Sequence, residues 1–399
     1  MTHQGGTGRD REGRTLVAGR EAGTVTPFFV VVGLVLVAAT GVSMVATVVV
    51  PRGRSLPQLL PLAVVRLVRA AALLGSKMFR TFESKDGFLA ALGPASLLAQ
   101  LAVFLGLFLL GYAVALVPWS TSFGSALVAA GSSMLTLGLV HGPKGGNDAL
   151  QIAAAATGAT AIALQVGYLP TIYQAFNRRE SLVSLMESRS GVPSWGPELL
   201  ARHQLIHTVE ALGPFYGDWE SWAADVAETH ISYPVLVYFR SPAPWYSWVL
   251  SLLATMDAAA MHLALCPDAA PSSARFCLRM GFTALRRIGG TLRIPYEKDP
   301  LPEGPIMLTF DEFEYAVGVL EEVGFPLERS AEEAWPHFVG WRVNYESLAY
   351  GLADAVLAPR APWSGSRRSL GAATAMPDRP PHRSPGGRLV YESKRRPDA

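Results

Sequence analysis

Residues 27–50, PFFVVVGLVLVAATGVSMVATVVV, carry no charged side chain, and Pro51 closes the run. As a helix at 1.5 Å per residue this stretch reaches about 36 Å, enough to cross a hydrocarbon core of about 30 Å. A cleaved signal peptide is shorter and ends at a small-residue site, which this run lacks, so it reads as a membrane anchor. Charged residues make up 17% of the chain, against about 25% in soluble domains. The shortage is confined to the first half; after Arg178 the charge density is ordinary.

The next apolar stretch, Leu56–Phe79, carries Arg66, Arg69 and Lys77, with Arg80 just beyond. At 100° per residue these four lie within about 80° of arc. That pattern predicts a basic amphipathic helix lying on the cytoplasmic leaflet. A voltage sensor needs a longer arginine ladder inside a spanning helix. Two more spans are predicted, Ala95–Trp119 and Leu150–Phe176, the latter rich in small residues that favour close packing. Pro170, three residues after Gly167, predicts a kink near the inner end. Seven basic residues lie between the first two spans (Arg52, Arg54, Arg66, Arg69, Lys77, Arg80, Lys85), and only Lys144 lies between the second and third. The positive-inside rule makes the first connection cytoplasmic and the second external. Asn177-Arg178-Arg179 then places the end of the third span inside. The amino terminus falls outside, against the mild pull of Arg14 and Arg20.

The external segment, STSFGSALVAAGSSMLTLGLVHGPKGGND (120–148), is not an ordinary loop. Phe123–Val140 is apolar with embedded serines and glycines, too short to span and too apolar for open water. Backbone that turns back at membrane depth is tolerated only where protein buries it or it lines an aqueous cavity. The prediction is a short helix from Phe123 to about Ser133, then an extended Thr136-Leu137-Gly138-Leu139 and a Gly/Pro-rich return. His141 borders this stretch and reads as a solvated loop histidine.

Residues 95–176 resemble the pore module of potassium channels: outer helix, pore helix, a T-x-G-[YF]-G filter, inner helix. Thr136, Leu137 and Gly138 match the first three filter positions, and Leu139 takes the aromatic position. The resemblance implies that the Thr136 hydroxyl and successive carbonyls replace the hydration shell of an ion. Val140 departs from the pattern. It stands where the family has a second glycine, and a β-branched residue resists positive φ. Gly158, Gly167 and Pro170 become candidate hinges of the inner helix. More broadly, LQVGYLPTIYQAFNRRESLVSLMESRSG and HISYPVLVYFRSP are similar to bacterial potassium-channel-like membrane proteins of unassigned role.

Beyond Asn177 the third span is expected to continue through Arg178–Arg189 and stop at Gly191-Val192-Pro193. A helix starts near Pro197. It carries His203 and His207 at i, i+4, without the glutamate of an H-E-x-x-H zinc site. Asp218–His230 is predicted helical, with Trp219 and Trp222 on one face. Trp245–Leu265 is long and apolar enough to raise the question of a fourth span. Asp257 and His262 would then sit in hydrocarbon, which is costly, so it is read as the central helix of a soluble domain. Thr309–Glu312 and Ser330–Glu333 are capping boxes; the second helix is expected to be interrupted, or started late, by Pro336 and to run to about Leu357. Gly289-Gly290 reads as a helix stop, and Glu321-Glu322 and Glu332-Glu333 as solvated faces. Cys266 and Cys277 read as small buried apolar residues. No G-x-S-x-G, P-loop or Rossmann fingerprint occurs, so neither an enzyme nor a cofactor or metal site is expected. With a net charge of +2 and no basic stripe read in the soluble half, nucleic acid is not an expected partner.

The expectation is thus an all-α membrane protein: three transmembrane helices with a re-entrant pore helix and loop, plus a mostly α-helical cytoplasmic domain. Its parts are a disordered tail (1–25), the first span and interfacial helix (26–86), a channel-like pore module (87–177), the cytoplasmic domain (178–358) and a disordered tail (359–399). The function expected is that of a multi-pass, tetrameric cell-membrane channel for a monovalent cation, K⁺ by resemblance. The alternatives are a non-conducting receptor or scaffold and, more remotely, a membrane-bound enzyme.

Overall fold

The computed structural model describes residues 9–48 (side chains from Pro27), 59–137, 148–365 and 375–379. These form helices and turns with no strand among them. In chain order the helices are α1 (Arg9–Val48), α2 (Leu59–Ser76), α3 (Phe82–Ala90), α4 (Leu92–Leu116), α5 (Phe123–Met134) and α6 (Asp148–Ser190). They continue as α7 (Gly196–Leu205), α8 (Leu212–Ser232), α9 (Trp248–Leu265), α10 (Ser272–Leu292), α11 (Phe310–Glu322), α12 (Ala331–Arg342) and α13 (Glu346–Ala355). The chain divides into two compact units, one of residues 1–68 and 95–171, the other of 69–94 and 172–399.

Five helical stretches are long and apolar enough to cross a membrane: Pro27–Val48, Leu59–Ser76, Phe82–Trp119, Asp148–Ser190 and Trp248–Leu265. They differ in what surrounds them. The protein buries between 22% and 39% of the first four and 100% of the last. Four therefore leave most of their apolar surface uncovered by the chain, consistent with a membrane protein, whereas α9 is enclosed by protein. That bears out the reading of Trp245–Leu265 as a core helix, begun three residues later than expected.

In the first unit α1 and α4 cross at Gly33 and Gly111. A Cβ at Gly33 would stand 2.5 Å from the Gly111 carbonyl oxygen, so only glycine allows this approach. Phe104 and Phe108 of α4 pack with Met44 of α1, Met134 of α5 and Ala161 of α6. In the second unit α9 is packed by α7, α10, α12 and α13, and α8 lies along α10. Trp219, Trp248, Tyr216, Phe313 and Phe338 fill its core.

Several boundaries depart from expectation. Helix α1 reaches back to Arg9, into the segment expected to be disordered, because extending a formed helix needs no new nucleus. Helix α2 stops at Ser76, so Lys77 and Arg80 fall beyond it and the four-residue basic face is reduced to Arg66 and Arg69. Arg69 Nε donates to the Ala355 carbonyl at 3.0 Å, in the last turn of α13. Helix α10 passes through Gly289 and Gly290 and ends at Leu292, where Arg293 takes the left-handed conformation (φ 61°) and closes the helix. Helix α12 runs through Pro336. The break comes later, at Val343–Tyr345, where Asn344 Nδ2 donates to the Gly340 and Trp341 carbonyls and caps the end. Both capping boxes form as expected, and α6 ends where Gly191 was read as its stop, with φ 73°.

The chain also stays packed beyond Pro359, where a disordered tail was expected. Ala361 and Trp363 are buried in the second core. Arg379 Nε donates to Glu198 Oε1 at 2.9 Å, and Arg202 Nη2 donates to the Asp378 carbonyl at 2.6 Å. Trp363 stays because its indole packs edge-on to Trp195 with ring centres 5.9 Å apart.

Candidate functional site

Helix α5 opens on a capping box. Ser122 accepts from the Ser125 amide, and Ser125 Oγ accepts from the Ser122 amide at 3.0 Å. Its alanines, Ala126, Ala129 and Ala130, are buried with Tyr112 and Leu116 of α4 and Ala154 of α6. Small residues here let three helices approach closely. Across the α4–α6 contact the Tyr112 and Thr157 hydroxyls lie 2.7 Å apart. At the far end a Cβ on Gly158 would stand 2.1 Å from the Met134 carbonyl oxygen. The carbonyl end of α5 is thus seated directly on α6, at a position only glycine can fill.

Thr136 departs from the extended conformation expected of it. Its φ is 54°. Its amide donates to the Ser133 carbonyl at 3.1 Å, and the Leu137 amide to that of Ser132 at 2.9 Å. These two bonds form a Schellman cap, which satisfies carbonyls that α5 would otherwise leave open. Thr136 and Leu137 are exposed. Gly138, Leu139, Val140 and His141 lie outside the described residues. Among the expected hinges, Gly158 is committed to the contact with Met134, while a Cβ at Gly167 would meet nothing within 4 Å. Pro170 lies inside α6, which continues past it.

The second unit holds two buried charge networks that local sequence patterns do not announce. Arg179 of α6 is fully buried. It donates to the Leu236 carbonyl at 2.9 Å, the Phe239 carbonyl at 2.7 Å and Glu180 Oε1 at 2.8 Å. Its Nη1 lies 3.1 Å from His230 Nε2. Because guanidinium only donates, that nitrogen accepts, and the imidazole proton sits on Nδ1. Burial and the Arg179 charge hold the His230 pKa well below 6.5. Rings of Phe176 and Trp248 flank the guanidinium at 5.3 and 5.6 Å.

The second network ties α9 to α12 and α13. Arg342 pairs with Asp257 and donates to Glu346 Oε1 at 2.9 Å and to the Trp363 carbonyl at 2.7 Å. The Tyr345 hydroxyl donates to Asp257 Oδ1 at 2.8 Å. Asp257, the residue that made a fourth span costly, is therefore answered by a buried cation. Arg179 and Arg342 each spend donors on carbonyls and carboxylates within the protein, and Glu180 Oε2 is left buried without a hydrogen-bond partner among the described residues. Such networks fix helices rather than hold a substrate.

The expected histidine pair does not form a site. His203 lies on α7 with Nδ1 2.7 Å from the Leu199 carbonyl, and His207 lies past the helix end with φ 54°. No group of three potential metal ligands occurs among the described residues. Cys266 and Cys277 are buried free thiols. Comparison with protein-family models, curated proteins and solved structures yields no match to this chain.

Proposed function

We propose that the chain is a channel-like membrane protein that assembles as a tetramer and passes a monovalent cation, K⁺ by resemblance. The observation that carries this reading is the seating of α5. A 12-residue apolar helix stands between two long apolar helices, capped by Ser122 at one end and held at the other by the Met134–Gly158 contact. Aligned peptide dipoles put partial negative charge at its Thr136 end, which favours a cation there. One chain supplies one such end, so a conduit needs several copies around an axis. In this reading Thr136, Leu137, Gly138 and Leu139 supply the ion's oxygen ligands, and the second unit lies in the cytoplasm.

A second reading, a non-conducting receptor or scaffold, draws on the Schellman cap at Thr136, which turns the chain where a filter runs extended. Flux from purified protein in liposomes, with K⁺, Na⁺ and Cl⁻ compared, separates the two. The channel reading expects K⁺ flux that Gly138→Val abolishes while assembly persists. It also expects that Leu139→Tyr with Val140→Gly raises K⁺ over Na⁺ selectivity. A stable oligomer with no flux in wild type or variants would leave the receptor or scaffold reading.

A further inference from the structure

Helix α10 reverses one conclusion from the sequence, that the soluble half has no basic stripe. Ser272–Arg293 contains five arginines, Arg275, Arg279, Arg286, Arg287 and Arg293, and no acid. At 100° per residue Arg275, Arg279 and Arg286 fall within about 40° of arc, a row about 17 Å long, and Arg293 follows at the left-handed end of the helix. The opposite face of the helix, with Ala274, Cys277, Leu278, Ala284, Leu285 and Ile288, is buried in the core. The arginine row therefore points outward by necessity. Arg275, Arg279 and Arg293 are exposed, and none of their guanidinium groups makes a hydrogen bond or ion pair among the described residues. Arg286 is half-buried, stacked over Phe282 at 5.0 Å, and its buried Nε has no hydrogen-bond partner among the described residues. Glu228 of α8 pairs with Arg287 at 2.6 Å, and Glu220 of the same helix lies close enough to act on Cys277 of α10. Phe276 stands beside the row with 58% of its surface exposed.

We propose that this face of α10 is a docking surface for anionic phospholipid headgroups. Each guanidinium offers a planar fork matched to phosphate oxygens, which an ammonium does not. A straight row on a convex helix fits a planar sheet of phosphates, and an exposed phenyl ring beside it fits the apolar boundary just beneath. The apolar helices of the first unit make a bilayer the obligatory neighbour of this chain. Each arginine close to an anionic surface adds attraction that salt screens. The inference does not depend on ion conduction.

The test uses the full chain carrying Phe276→Cys, labelled with an environment-sensitive fluorophore; Cys266 and Cys277 are buried. The protein is reconstituted in vesicles of phosphatidylcholine alone or with phosphatidylglycerol added. Anionic lipid is expected to shift the emission to the blue and to slow quenching by iodide. Both effects should be lost in high salt and in R275E/R279E/R293E. R275Q/R279Q, which keeps side-chain length, should lose part of the shift, and circular dichroism confirms that both variants remain helical. Identical emission in the two vesicles, or a shift that survives charge reversal, overturns the proposal. A shift on adding an oligonucleotide, with none from phosphatidylglycerol, also overturns it and assigns the row to a soluble polyanion.

Discussion

The carbonyl oxygen of Met134 lies 2.1 Å from the point where a side chain would begin at Gly158. This single approach fixes the end of α5 to α6. Gly158→Ala must push the two helices apart, and overpacking of this kind costs about 1–3 kcal/mol. Gly167→Ala, on the same helix, meets open space and should be neutral or gain up to about 1 kcal/mol in helix propensity. Melting temperatures in detergent are expected to fall for the first variant and hold or rise for the second. Equal effects would mean that α5 is not seated on Gly158.

Arg342 and Asp257 make a second pair whose strength can be measured. Asp257→Leu leaves a fully buried guanidinium with Glu346 as its one remaining counter-charge, and breaking a buried pair typically costs up to about 3–5 kcal/mol. Asp257→Leu with Arg342→Met should cost less than the two single losses added together. Denaturant unfolding of all four proteins gives the coupling; strict additivity would argue against the pair.

Acid should loosen the second unit through His230 and His203. Burial is the first cause that lowers the pKa of each, with the Arg179 charge adding to it at His230 and the Arg189 charge at His203. A histidine whose folded pKa lies below its unfolded value contributes fully above pH 6.5. That contribution is lost as pH falls, since the unfolded chain binds the proton first. The histidine share of stability should therefore fall from pH 7 toward pH 5, opposed by Asp257, whose carboxyl burial pushes up to about 6. His230→Gln should accordingly lose less stability on acidification than wild type. Parallel curves for the two proteins would remove His230 as a contributor.

The docked tail offers a local test. Arg379→Ala removes the bonds to Glu198 but leaves the core untouched, so a spin label at Met376→Cys should become markedly more mobile while the melting temperature changes little. Unchanged mobility would show that Arg202 alone holds the segment.

What could be read from the sequence was local or periodic. The capping residues Thr309 and Ser330, the stop at Gly191 and the paired Trp219 and Trp222 each carry their signal within a few neighbours. Of helix α10 only a stop was read, at Gly289-Gly290, because it lacks a side-chain cap at Pro271 and carries Gly281, Gly289 and Gly290, which lower helix propensity. Those glycines have distant reasons. A Cβ at Gly281 would stand 2.6 Å from Met256 Sδ, and one at Gly289 2.7 Å from Leu348. The left-handed Thr136 was hidden likewise, since φ > 0 is unusual for a β-branched residue. Arg179 looked like a topology signal beside Arg178, yet only Arg178 is exposed, paired with Asp225 at 3.2 Å.

The second unit is assembled from two stretches of chain that are far apart in sequence. Arg240 pairs with Asp86 of α3 and donates to the Val356 carbonyl at 2.7 Å, while Phe82 lies 4.4 Å, ring centre to ring centre, from Trp245. Residues 69–94 leave the ribosome long before these partners exist. At about 5–20 residues per second, α3 waits on the order of eight to thirty seconds for Arg240 and Trp245 to be made, and longer for Val356. During that interval Phe82 and Asp86 have neither their ring nor their counter-charge. The order of synthesis thus leaves α3 dependent on chain made much later, and truncation before Arg240 should strand it even though its own sequence is intact.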